Sequence, residues 1–145
     1  MYELTLFANA VWFSLGFYAF SVRNHAFARL LTAPEHHDAP LFPTLAASGR
    51  FLGGLNLAFA AFSTALLLQL GLFPEPAQRA LFLAVFALAH GTQFLFNLPI
   101  ALANTRGGGV WPVLEGLMLL IFAGDALLSA LNLTLAVGLS VCLSY

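Results

Sequence analysis

The chain is 145 residues long, 61% hydrophobic and only 8% charged, whereas soluble globular domains are about 45–50% apolar and about 25% charged. Five basic and six acidic side chains cannot cover a globule in water, so most of the outer surface faces a bilayer. With no lysine and a net charge of −1, the sequence offers no basic field for nucleic acid and no amine for Schiff-base or phosphate-loop chemistry.

A membrane-crossing helix needs about 20 mainly apolar residues, and four stretches reach that length, at about 4–22, 45–70, 77–103 and 113–138. The first carries Glu3 and no basic residue ahead of its apolar run, which argues against a secretory signal. It ends at Arg23-Asn24-His25. Residues 23–44 follow as an amphipathic connection, in which the stretch from His25 to Leu31 mixes apolar and basic residues and suits the headgroup level. Pro34 and Pro40 then bound an ordered loop. The second helix is stopped by Pro74 and Pro76, and Pro99 predicts a kink or an early end in the third. Gly107-Gly108-Gly109 and Trp111-Pro112 form a turn at the water interface before the fourth. The fold class predicted is an all-α integral membrane four-helix bundle in one domain. The lone Cys142 has no partner for an internal disulfide.

Arginines are retained on the cytoplasmic side. Arg23, Arg29, Arg50 and Arg106 fall at one end of the bundle and Arg79 at the other, which places both termini outside the cytoplasm.

Ionisable groups inside a bilayer cost at least about 2.5–3.5 kcal/mol each, so each marks a candidate site. Arg50, about five residues into the second helix, and Glu115, about three residues into the fourth, sit at matching depths, and a bidentate ion pair between them is expected to latch the two helices. The fourth helix carries Glu115, Met118, Phe122, Asp125, Ser129, Asn132 and Ala136 on one stripe. That stripe must face the bundle interior, because hydrocarbon leaves polar groups unpaired. His90, Gln93 and Asn97 repeat the pattern on the third helix, and Gly49, Gly53, Asn56, Ala60 and Ser63 make a small-residue face on the second. Asn9, Trp12, Gly16 and Phe20 complete it on the first.

His90 and Asp125 each lie about 12 residues into their helices from opposite sides, about 18 Å deep at about 1.5 Å per residue, so both stand near the midplane. A cluster of His90, Asp125 and Asn56 is predicted, with Gln93 at its edge and Asn97 a turn further along. A buried carboxylate beside an imidazole can share a proton. Glu35, His36, His37 and Asp38 are adjacent in one loop, whereas metal sites draw on separated pairs. No metal site and no cofactor is assigned, and no catalytic nucleophile stands at a helical spacing from the cluster.

Three functions are compatible with this pattern. The first is a non-enzymatic accessory or scaffold subunit, packed by its small-residue stripes into a larger membrane complex or a homo-oligomer. The second is a bundle that binds or transports a lipophilic molecule (a lipid, quinone or sterol-like compound) at His90, Asp125, Asn56, Gln93 and Asn97. The third is a membrane enzyme acting on an isoprenoid-type substrate. Membrane lipids are partners in all three.

The short-looped helices, the run Gly49-Arg50-Phe51-Leu52-Gly53-Gly54 and the position of Glu115 resemble small bacterial four-helix membrane proteins of the DoxX-like group, over helices two to four. The resemblance implies a membrane bundle in a bacterial inner membrane, with links in that group to redox or respiratory partners, and implies no particular activity.

Overall fold

A computed structural model describes residues 1–141, and Cys142 lies outside them. Five α-helices account for most of the chain: α1 (Tyr2–Phe17), α2 (Asn24–Leu31), α3 (Phe42–Leu68), α4 (Pro76–Asn104) and α5 (Gly116–Val141). Four are long and apolar enough to cross a membrane, with α1 extended to Val22 by a π-helical turn over Tyr18–Val22. Their outward faces are apolar, with Phe7, Leu15, Phe51, Leu55, Leu88, Phe96, Leu120 and Leu127 all exposed. In water such surfaces would aggregate, whereas in lipid they carry no penalty. The fold is therefore an integral membrane four-helix bundle.

The helix starts differ from the sequence expectation for local reasons. Proline lacks the N–H that a first turn cannot use, so α3 begins at Phe42 with Pro43 in its opening turn, and α4 begins at Pro76 itself. Pro99 does not end α4, which continues through it to Asn104. Three residues later than expected, α5 begins at Gly116, whose φ of 48° lies in the left-handed region open to glycine. The connection before it is built on Asn104: its amide donates to the carbonyls of Gly108 (2.8 Å) and Trp111 (3.1 Å), and its oxygen accepts the Val113 N–H (2.7 Å). Within residues 23–44 the amphipathic stretch is a true helix, α2, which tucks Ala28 against Phe42 and Ala46.

Two tight antiparallel pairs make the bundle. In the first pair, α1 lies on α3, where Ser21 sits directly over Gly53 and the Asn56 amide over Gly16. In the second, α4 lies on α5, where the Ser129 hydroxyl donates to the Ala87 carbonyl (2.9 Å) opposite Gly91. Small residues allow these backbones to approach closely, which is how helices associate without a hydrophobic driving force. The α3–α4 seam is wider and is filled by rings: Phe59 and Phe62 meet Phe82 and Phe86 at centroid separations of 5.5–6.1 Å. At the end that holds the N-terminus, Arg79 stacks on the Tyr2 ring (5.2 Å) and its Nε–H donates to the Phe73 carbonyl (3.1 Å). The aromatic core of Leu6, Phe13, Ala60, Leu66 and Phe86 occupies that half of the bundle. The polar network lies at the inner boundary of that core.

Candidate functional site in the bundle centre

Helices α1, α4 and α5 each project one polar stripe to the same level. Asn9, His90 and Asn132 are completely buried and Asp125 is 1% exposed. His90 Nδ1 and Asp125 Oδ1 are hydrogen-bonded (2.9 Å), and the Trp12 indole N–H donates to the same oxygen (2.9 Å). On the other side of the ring, Nε2–H donates to Asn9 Oδ1 (3.0 Å). Asn9 and Asn132 exchange reciprocal amide hydrogen bonds of 2.9 and 3.1 Å, and Asn132 also donates to the Leu128 carbonyl (2.8 Å). Phe13 stacks on the imidazole with centroids 4.5 Å apart and closes this side. The Asn9 amide oxygen only accepts, so Nε2 is the donor on that side, and the Nδ1–Oδ1 contact ties the ring to Asp125 on the other.

The two carboxylate oxygens of Asp125 are unequal. Oδ1 takes both donors, and among the described residues Oδ2 takes none. Every fully buried side-chain nitrogen or oxygen among them has a partner, so Oδ2 is not sealed in the core. It opens onto a crevice of about 90 Å³ between α1 and α5, lined by Trp12, Leu15, Asn56, Gln93, Leu120 and Asp125 among others. Leu15 and Leu120, at its mouth, are 56% and 58% exposed on the lipid face. A second, wider cleft of about 370 Å³ opens through the α3–α4 seam and reaches the same Asn56 and Gln93.

The predicted pairing of His90 with Asp125 is present, and two predicted contacts, those of Asn56 with the pair and of Arg50 with Glu115, are not. Asn56 does not bond to either residue. Its amide donates back to the Leu52 carbonyl (2.8 Å) while its oxygen rests on Gly16, so it lines the crevice without entering the network. Asn97 accepts the Trp111 indole N–H (3.1 Å) and thereby pins the α4–α5 connection, away from the site. Arg50 and Glu115 form no ion pair among the described residues, and both are exposed. With α3 starting at Phe42, Arg50 is eight residues along its helix, whereas Glu115 precedes α5 altogether. At about 1.5 Å per residue their heights differ by roughly 12 Å. Their helices, moreover, pack on α1 and α4 rather than on each other. Arg50→Ala and Glu115→Ala are therefore expected to be additive in a double-mutant cycle read by detergent unfolding. A coupling above about 0.5 kcal/mol would restore the latch.

Gln93 lines the crevice, half-buried, and its side-chain amide has no partner among the described residues. Asn9, Trp12 and Asn132 belong to the network although the sequence marked them only as inward-facing. The signal that could have found them was their register, since all lie on the polar stripes. Among the described residues no three His, Cys, Asp or Glu side chains are grouped to hold a metal ion. Near the other loop, His37 bonds the Thr32 carbonyl (3.2 Å) and its ring packs on Phe42.

The arrangement defines a class: a multi-pass membrane bundle with a buried, hydrogen-bonded His90–Asp125 pair at its centre and a lipid-facing crevice leading to it. Comparison with family models, with curated proteins and with solved structures finds no match to the chain.

Proposed function

We propose that the protein binds a small lipophilic molecule drawn from the bilayer into the α1–α5 crevice. The observation that carries this reading is the crevice itself, whose apolar walls open to lipid and whose floor is Asp125, Asn56 and Gln93. Apolar lining with a few convergent polar groups is the ordinary make-up of ligand sites. A location in a bacterial inner membrane with both termini outside belongs to the same reading, supported by Arg23, Arg29 and Arg106 at one end against Arg79 at the other.

A non-enzymatic accessory subunit is the second reading. It is supported by the closed half of the network, where Asn9, His90 and Asn132 satisfy one another beneath Phe13 as a purely structural lock would. Native mass spectrometry of the protein taken from its own membrane separates the two. Retention of a small lipophilic species that Leu120→Trp, at the crevice mouth, expels is the expected result. A partner chain with no such species would assign the subunit role.

A further inference from the structure

The polar floor of the crevice restricts the chemistry of its occupant, a step that rests on the lipid-phase binding just proposed. We infer that the occupant is a single-chain amphiphile with a neutral hydroxyl head, whose O–H donates to Asp125 Oδ2 while its oxygen accepts an N–H of Gln93.

The argument is a matching of donors and acceptors. Asp125 is 1% exposed, its Oδ1 is filled by Trp12 and His90, and its Oδ2 faces the crevice with no protein donor among the described residues. The head group must therefore donate. Gln93 lines the same crevice and its side-chain amide has no protein partner among the described residues, so a head that also accepts satisfies its N–H. A hydroxyl does both on one atom. An ionised carboxylate or phosphate head only accepts and carries its charge into hydrocarbon. An ammonium head would donate, but it has no acceptor for the Gln93 N–H and carries a full charge into hydrocarbon. The chain of the ligand then leaves past Leu15, Leu117, Leu120 and Ile121 into the lipid. At about 90 Å³ the crevice is well below the volume of pockets that take drug-sized molecules, about 300–1,000 Å³, so the part of the occupant that enters beside Asp125 is slender.

Trp12 lines the crevice and supplies the reporter. In the full chain carrying Trp111→Phe, reconstituted in nanodiscs, quenching of Trp12 emission is followed with terminally brominated hexanol, with bromohexane and with bromohexanoate. The expected result is saturable quenching by the alcohol at concentrations about tenfold below those needed for the alkane, the ratio a hydrogen bond to a charged group contributes. Gln93→Leu, which breaks no bond within the protein, should raise the alcohol's half-saturation severalfold and leave the alkane's unchanged. An alkane as potent as the alcohol, a more potent carboxylate, or an unmoved Gln93→Leu curve would overturn the hydroxyl assignment while lipophilic binding stands. Saturable quenching by none of the three would remove the binding reading, and this inference with it.

Discussion

Asp125→Leu is expected to lower the stability of the bundle by about 3 kcal/mol, the lower edge of the range of about 3–5 kcal/mol for removing one member of a buried pair. The substitution leaves His90 Nδ1 and the Trp12 Nε1–H without their partner in the bundle interior. A countervailing effect sets the lower edge. Interhelical hydrogen bonds in membranes average only about 0.6 kcal/mol, because the unfolded chain finds other partners within the bilayer. Asp125→Asn keeps an acceptor oxygen and should cost about 1 kcal/mol. His90→Leu should resemble Asp125→Leu, and the double leucine variant should lose clearly less than the sum, since apolar groups can replace a whole buried pair at little cost. Reversible unfolding in mixed micelles measures all four. If the two leucine losses simply add to within about 0.5 kcal/mol, the pair does not act as a unit.

That pair was readable in the sequence because its evidence is periodicity. Residues at spacings of three and four share a helix face, and depth along a helix is a count of residues. Met118, Asp125, Asn132 and Ala136 are all buried as their stripe requires. What periodicity does not encode is which helix lies beside which. The Arg50–Glu115 latch needed α3 against α5, but the bundle pairs α1 with α3 and α4 with α5, a choice made by Gly16, Gly53 and Gly91 meeting their opposite side chains. Helix starts were equally local. Pro43 moved the start of α3 outward, which changed the depth of Arg50 by about a turn. Asn56 was drawn into the predicted cluster by its place in the middle of an inward-facing stripe, while Asn9, on the matching stripe of α1, has the helix neighbours that carry it to His90. The π-helical turn at Tyr18–Val22 left no periodic trace at all, because five residues are too few to shift a pattern read over a whole span.

Gly124 is where packing and the candidate site meet, and it supplies the second large effect. In an open helix, glycine to alanine gains about 0.8–1.0 kcal/mol of helix propensity. Gly138, in the same α5, has nothing within 4 Å of the place a methyl would take, and it is expected to show that gain. At Gly124 a methyl would fall on the six-membered ring of Trp12, touching Cη2, Cζ2 and Cζ3. The indole cannot slide away without withdrawing its N–H from Asp125, 2.9 Å distant. Overpacking costs about 1–3 kcal/mol and the lost hydrogen bond about 1 kcal/mol, so the clash outweighs the propensity gain. Gly124→Ala should therefore lose about 2 kcal/mol net. Trp12→Leu in the Gly124→Ala background removes the ring that the methyl strikes, so the two changes should couple favourably by at least about 1 kcal/mol. Gly124→Ala alone should also weaken saturable quenching by brominated hexanol, because a displaced indole narrows the crevice beside Asp125. A Gly124→Ala variant as stable as Gly138→Ala would mean that the indole has room to move, and that Trp12 does not fix the carboxylate in place.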